Sequence, residues 1–204
     1  MNILKNLFRK KSNKEDSSSE NHIVVELNDK MMPIERGDTY EDPIDDFLQS
    51  KGIGEVTGGG TLQLQSGEID YCDIQILLYS KEIQEEQINL IIGKFEELGA
   101  PKGSKLVDKK LNKYIEFGKK EGLAIYLDGV SLDKEVYENC DSNYVISEIK
   151  KLTNDNSEAI RYWENNNETA LYFYSNSYEE MKESIEEFRN NYPLCQNSRV
   201  ERIA

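Results

Sequence analysis

The spacing of apolar residues constrains the fold most, because one order of elements recurs three times after residue 60. Each time, two segments with alternating apolar residues precede a segment with apolar residues three or four positions apart, which predicts two strands and a helix. The predicted strand pairs lie within 62–78, 114–127 and 160–174, and the predicted helices within 88–98, 145–152 and 181–192. The recurrence predicts an α+β protein with a mostly antiparallel sheet and helices on one face.

Each predicted hairpin has a turn signal between its strands, namely Ser66-Gly67, the segment 118–122, and the segment 165–167. From Tyr71 onward, the order strand, helix, hairpin, helix, strand is the split βαβ arrangement of ferredoxin-like folds. We therefore expect repeated ββα units with ferredoxin-like elements. Residues 22–204 form the predicted body, either as one continuous sheet or as two pseudo-repeated lobes, about 22–130 and 131–204.

Residues 1–21 have the composition of a disordered basic and Ser-rich tail. Apolar residues at helical spacing among lysines leave a weak membrane-surface helix as the alternative; they are Ile3, Leu4, Leu7 and Phe8. The body is expected to begin with a strand at 23–27, followed by a loop through Pro33 and Gly37. A short helix over about 43–50 is then predicted, with Asp42 as its N-cap and Gly52 as its stop.

The charge of the chain narrows the class of partner. Asp and Glu number 39 against 25 Lys and Arg, which gives a net charge of −14. Residues 1–20 carry +2, so residues 21–204 carry −16. A surface this acidic repels the phosphate backbone of nucleic acids and attracts basic proteins. We therefore expect a basic protein partner, no nucleic acid and no stable membrane association, since no segment has the roughly 20 apolar residues that span a bilayer.

Catalytic and metal-binding patterns find little support in this sequence. His22 is the only histidine, and the three cysteines, Cys72, Cys140 and Cys195, lack the spacing of a zinc site or redox pair. We expect reduced thiols in the cytoplasm, and no catalytic residue, cofactor or metal. The alternative is an enzyme whose carboxylate or tyrosine groups are brought together by folding.

Two local features allow a functional and a structural interpretation. The glycine-rich segment 52–61 lacks the Gly-Lys-Ser/Thr of a phosphate-binding loop and leads into a strand, which favours a tight turn or bulge. An acidic run lacks the spacing of a calcium loop and is attributed to helix capping and an acidic recognition surface. Its members are Asp38, Glu41, Asp42, Asp45 and Asp46.

Tyr172 and Tyr174 share one face of a predicted strand. If that face is open to solvent, the two rings supply aromatic anchors of the type that dominates protein interfaces. The alternative is that they pack under helices with their hydroxyl groups in water. We count both tyrosines and the acidic run as candidate partner-binding residues.

Two stretches of the sequence carry a family resemblance. The first stretch consists of residues 36–38 and 40–43 followed by residues 54–61. The second consists of residues 169–174 followed by residues 192–196 and 199–200. They resemble a family of small, little-characterised bacterial cytoplasmic proteins, similar in size, acidity and fold to immunity proteins, which block secreted bacterial toxins by binding them. The resemblance implies a non-enzymatic inhibitor of a basic toxin domain and transfers no individual residue. The alternative is a small-ligand-binding regulatory module of ferredoxin-like fold.

Overall fold

The computed structural model describes residues 21–108 and 113–204, and these residues form two antiparallel sheets with helices. The α+β class with mostly antiparallel strands is confirmed. The predicted tail, residues 1–21, lies outside the described residues except for Asn21, and so does its alternative, a membrane-surface helix. Over the described ranges, no helix is long and apolar enough to cross a membrane.

The first sheet has the strand order β2-β3-β1-β4-β5, with every neighbouring pair antiparallel. Its strands are β1 Asn21–Leu27, β2 Gly54–Gln63, β3 Ile69–Leu78, β4 Ser104–Asp108 and β5 Lys113–Phe117. Its helices are α1 Pro33–Arg36, a π-helical turn at Gly37–Glu41, α2 Asp42–Lys51 and α3 Glu85–Glu97.

The second sheet has the strand order β7-β8-β6-β9, again with antiparallel neighbours. Its strands are β6 Glu121–Asp128, β7 Arg161–Glu164, β8 Glu168–Ser175 and β9 Arg199–Arg202. Its helices are α4 Lys134–Asn139, α5 Ser142–Thr153, α6 Tyr178–Asn191 and a 3₁₀ turn at Pro193–Cys195.

Both halves repeat one βαββαβ topology in which the first and third strands of each unit lie in the centre of the sheet. This is the ferredoxin-like arrangement, and β5 adds an edge strand to the first unit. The two ferredoxin-like units begin at β1 and β6, so the prediction that such a unit begins at the strand containing Tyr71 is wrong. Consecutive strand patterns do not reveal which strands pair, and a frame shifted by two strands fits the same sequence.

The predicted hairpin at 114–127 is also wrong, because β5 and β6 belong to different sheets. The segment between them connects the two halves, and Gly118 there has a φ of +104°. A Cβ atom on Gly118 would lie 1.9 Å from the carbonyl oxygen of Pro101, which only glycine avoids. The predicted lobe boundary near residue 130 lies after β6 and so assigns β6 to the first lobe. In the structure, β6 pairs with β8 and β9 and therefore belongs to the second half.

The helical segment of the first half begins earlier than predicted. Pro33 occupies the first turn of α1, and the chain continues through the π-helical turn into α2, where the predicted loop was expected. Glu41 and Asp42 both have helical backbone angles, so Asp42 is not an N-cap. The extra residue of a π turn rotates the helix face, and Tyr40 in this turn is fully buried.

Each half has its own apolar core between its sheet and its helices. In the first, alternate residues of β1 and β3 pack against α2 and α3 around Phe95. In the second, alternate residues of β6 and β8 pack against α5 and α6 around Phe173. The helices therefore cover one face of each sheet, as the sequence predicted.

The glycine-rich segment lies mostly in β2, and the predicted bulge occurs between Val56 and Gly58. A Cβ atom on Gly54 would lie 2.4 Å from the Leu77 carbonyl oxygen, and one on Gly59 would lie 2.7 Å from that of Asp73. These glycines allow a close approach of β2 to β3, which is the structural interpretation of the segment.

Candidate functional site

The acidic run divides into residues that have structural partners and residues that are exposed. Glu41 Oε1 accepts a hydrogen bond from Arg36 Nε at 2.5 Å, and Asp45 Oδ1 accepts one from the Val56 N–H at 2.8 Å. The first bond lies within the helical segment, while the second holds this segment against β2, as does the bond from Arg36 Nη1 to Thr61 Oγ1 at 2.8 Å. The side chains of Asp38, Asp42 and Asp46 are exposed. Partner binding by the run stays a prediction.

Tyr172 and Tyr174 lie at the junction between the two halves and are only 2% and 6% exposed. The Tyr172 hydroxyl donates to Glu68 Oε1 at 2.8 Å, and the Tyr174 hydroxyl accepts from the Lys30 N–H at 3.0 Å. The expectation of an open face at these tyrosines is therefore wrong. Strand alternation identifies residues on one face but not what covers that face; here the first half covers it.

Glu68, in the connection between β2 and β3, accepts hydrogen bonds from two tyrosine hydroxyls at the junction. Besides Tyr172, Tyr126 donates to the same Oε1 atom at 3.1 Å. Burial first, and then the Glu68 carboxylate, raise the pKa of both tyrosines. The two hydroxyls therefore stay protonated as donors and attach the helix-free face of the second sheet to the first half.

A buried ion pair lies beside these tyrosines. Arg161 on β7 donates from Nε to Asp29 Oδ1 at 2.7 Å and from Nη2 to Oδ2 at 3.1 Å, and both side chains are at most 5% exposed. Tyr40 donates to Asp29 Oδ2 at 2.9 Å, and Ser157 Oγ accepts from Arg161 Nη1 at 2.8 Å. These hydrogen bonds link the first helical segment and the loop after β1 to β7 of the second sheet.

The electrostatics of this ion pair favour its charged form. Burial on its own lowers the pKa of Arg161, but the Asp29 carboxylate outweighs it and the pKa is raised. Burial and then Asp29 raise the pKa of Tyr40 well above its usual value. The Arg161 guanidinium also lies 5.1 Å from the centroid of the Tyr174 ring. The groups at the junction are satisfied by one another, which is the mark of a structural network.

The first sheet has an open face opposite its helices. Directly opposed residues in antiparallel strands point to the same side, and Ile23, Val25 and their partners point into the core. The alternate positions therefore point outward. One outward row crosses four strands as Asp73, Glu26, Lys105 and Glu116, and the next as Gln75, Val24, Val107 and Tyr114. We call this surface the acidic face.

The acidic face combines exposed tyrosine and leucine side chains with excess negative charge. Tyr114 is 57% exposed and Leu62 is 47% exposed. The Nζ atom of Lys105 lies 5.3 Å from the centroid of the Tyr114 ring. Carboxylates outnumber this ammonium group at the outward positions of the described strands; they belong to Glu26, Glu55, Asp73 and Glu116.

Tyr71 marks a groove in the acidic face. Burial first, and then the carboxylates of Glu26, Asp73 and Asp70, raise the pKa of the Tyr71 hydroxyl. A groove of about 350 Å³ lies here, lined by Glu26, Asn28, Asp70, Tyr71, Gly103 and Lys105. A long cationic side chain would meet the Tyr71 ring and the carboxylates of Glu26 and Asp70 in this groove, and aromatic rings and carboxylates are the groups that best accommodate an ammonium or guanidinium.

A larger cleft of about 740 Å³ lies on the helix side of the junction. Asp38, from the acidic run, and Glu35 form part of one wall, and residues 154–161 with Tyr174 form much of the other. Glu97 and Lys120 also line the cleft. Acidic residues outnumber basic ones in its lining, which favours a cationic small molecule over an anionic one.

Metal-ligating side chains and thiols are the next groups to consider among the described residues. Over 21–108 and 113–204, no group of three or more His, Cys, Asp and Glu side chains is placed to hold a metal ion. Cys72 is buried and burial raises its pKa, while burial raises the pKa of Cys195 to about 11. A thiol with a raised pKa is a poor nucleophile near neutral pH, because little thiolate is present.

Reasoning from the sequence missed the acidic face, although a signal for it exists. Glu26 lies between Val25 and Leu27, and Asp73 lies between Cys72 and Ile74. This alternation places carboxylates opposite the core in two strands. Nothing local predicts the Asp29–Arg161 pair, because a buried charge far along the chain from its partner has the same sequence signature as an exposed one.

No protein-family model and no curated protein matches this sequence. Among solved structures, a protein of unknown function from Galdieria sulphuraria matches with a TM-score of 0.27 and 10% identity, over 90% of this chain and 98% of that one. The first two RRM domains of the yeast poly(U)-binding protein Pub1 match with a TM-score of 0.24 and 9% identity, over 89% and 99% of the two chains. A likeness of this extent says nothing about function.

Proposed function

We propose that this chain is a non-enzymatic binding protein that holds a basic protein partner on the acidic face. The observation that carries the proposal is the open sheet surface where Tyr71 and Tyr114 lie among the carboxylates of Glu26, Asp73 and Glu116. Exposed tyrosines supply contact area at low entropic cost, and carboxylates select a basic partner. The exposed side chains of the acidic run add negative charge on the helical segment, which packs on the other side of this sheet.

The partner class that fits best is a basic toxin domain, which makes the protein an immunity-type inhibitor. This part of the proposal is supported by the family resemblance and by the net charge of −16 on residues 21–204. Three free cysteines fit a reducing compartment, so we place the protein in the bacterial cytoplasm. The long-range field would speed encounter, while burial of the tyrosine rings would set the dissociation rate.

Affinity capture from the native cell with matched variants tests the proposal. The face variant combines Glu26→Gln, Asp73→Asn and Glu116→Gln. The control variant removes the same charge from the exposed surface of α6 with Glu179→Gln, Glu183→Gln and Glu186→Gln. We expect the wild-type chain and the control variant to retain a basic protein that the face variant loses. Recovery of no basic protein, or equal recovery by all three chains, counts against the proposal.

A second candidate function, a small-ligand-binding regulatory module, is favoured by the cleft of about 740 Å³ between the halves. Clefts between domains are common sites for small molecules. The measurement is native mass spectrometry of the full chain purified from its own cells. A stoichiometric small molecule that is lost in Asp38→Asn, with the fold intact by circular dichroism, supports this function. A mass equal to that of the chain alone argues against it.

A further inference from the structure

The acidic face has a candidate occupant within the same chain, because of where that chain enters the sheet. β1 is the central strand of the first sheet, and residue 20 precedes its first residue, Asn21, which pairs with Leu78. The chain therefore enters at the middle of one end of the sheet. The side packed by α2 and α3 is filled by the core around Phe95, whereas the other side is the acidic face.

The distances allow the preceding residues to reach the carboxylates of this face. Glu26 lies five residues along β1 from Asn21, which is about 17 Å at the rise of a strand. Lys14 lies seven residues before Asn21, which allows a reach of up to about 24 Å in an extended chain. A segment that turns back at Asn21 can thus bring Lys14 above the row formed by Glu26 and Asp73.

The charges and apolar groups of the two surfaces are complementary. Residues 9–14 carry four basic side chains, Arg9, Lys10, Lys11 and Lys14, and no acidic one. The outward row of the acidic face carries three carboxylates against one ammonium group. Farther from the sheet, residues 3–8 contain apolar side chains, and the face exposes Leu62 and Tyr114. Both components therefore favour contact between this segment and the face.

We propose that the basic segment 9–14 of this chain binds its own acidic face against Glu26 and Asp73, and so competes with the basic partner. The contact itself is independent of any partner; only the competition rests on the proposed function. The segment acts as an intramolecular competitor at a high effective concentration, so a partner must displace it before it reaches Tyr71. Binding of unrelated weakly basic proteins is suppressed by this contact.

A zero-length carbodiimide cross-linker tests the contact in the full chain, because it joins amines and carboxylates only when they are in ion-pair contact. Peptide mapping is expected to find Lys10, Lys11 or Lys14 joined to Glu26 or Asp73. An equal mixture of ¹⁵N-labelled and unlabelled chains is expected to give links within single chains. The links should fall several-fold in 1 M salt, where the Debye length is about 3 Å.

Variants complete the test. The Glu26→Gln and Asp73→Asn double variant should abolish these links, whereas the α6 control Glu183→Gln with Glu186→Gln should keep them. Links spread over exposed carboxylates in proportion to exposure, links of which about half join a labelled to an unlabelled peptide, as contacts between chains would give, or no links at all would overturn the proposal. If links are absent but partner capture still depends on the face, the competition fails and the proposed function stands. If the links form but no basic partner is captured, the contact stands and the proposed function fails.

Discussion

Replacing Arg161 by Met tests whether the buried ion pair holds the two halves together. The substitution retains an apolar side chain of similar length and removes two hydrogen bonds to Asp29, at 2.7 and 3.1 Å, and one to Ser157 at 2.8 Å. The Asp29 carboxylate then stays buried, with the hydroxyl of Tyr40 still donating to it at 2.9 Å. A buried charge left without its counter-charge is the costly outcome of such a change.

The expected loss is large relative to the total stability. Removing one partner of a buried ion pair costs about 3–5 kcal/mol, whereas whole domains are stable by about 5–15 kcal/mol. For a protein of this size, the loss corresponds to a fall in the melting temperature of about 6–20 °C. The matched control is Lys134→Met, which breaks the exposed Lys134–Glu138 pair and should cost no more than about 0.5 kcal/mol.

Urea unfolding followed by circular dichroism measures these free energies. Adding Asp29→Asn to Arg161→Met removes the unpaired charge and should restore part of the lost stability, which a merely poor fit of the Met side chain would not explain. The reasoning is refuted if Arg161→Met costs no more than Lys134→Met, or if Asp29→Asn worsens the Arg161→Met variant.

Three further outcomes are expected. Glu68→Leu, which leaves two buried tyrosine hydroxyls without their acceptor, should lower the free energy of unfolding by about 1–3 kcal/mol in urea titrations, and a value near zero would contradict the junction described here. Gly118→Ala should strongly lower the melting temperature because its Cβ would lie 1.9 Å from a carbonyl oxygen, whereas Gly93→Ala on α3, with open space around it, should raise stability by about 0.5–1 kcal/mol. Hydrogen bonds from Lys102 and from a backbone N–H, followed by Arg202, lower the pKa of Glu121 to about 2. The stabilising contribution of Glu121 is therefore present above pH 4.5 and lost as the pH falls toward 2. Glu121→Gln should flatten that part of the curve of unfolding free energy against pH, and an unchanged slope would exclude this role.

Periodicity predicted most helices and strands, because spacings of two and of three to four residues follow directly from backbone geometry. The helix predicted within 88–98 is an example, since Ile88, Ile91 and Phe95 are buried along one side of α3. Pairing was harder to predict: β5 and β6 are adjacent in sequence but lie in different sheets. Local patterns are identical for both arrangements, and only packing over the whole chain distinguishes them.

The acidic face was not predicted from the sequence. The two tyrosines named as candidate partner-binding residues, Tyr172 and Tyr174, are buried in the second sheet, whereas Tyr71 and Tyr114 lie on the acidic face of the first. The two sheets share a topology, and each has a helix-free face. Which of these faces is covered depends on contacts such as Asp29 with Arg161, more than a hundred residues apart, and short-range patterns contain no information about them.

The central claim, that the acidic face binds a basic protein, is tested most directly by the association rate of the captured partner at low and high salt. For the wild-type chain, the rate should fall at least about tenfold between 20 mM and 500 mM salt, because electrostatic steering is screened. The variant with Glu26→Gln, Asp73→Asn and Glu116→Gln should associate more slowly at low salt and lose most of this dependence. A variant that associates as fast as the wild-type chain, with the same dependence on salt, would contradict the claim.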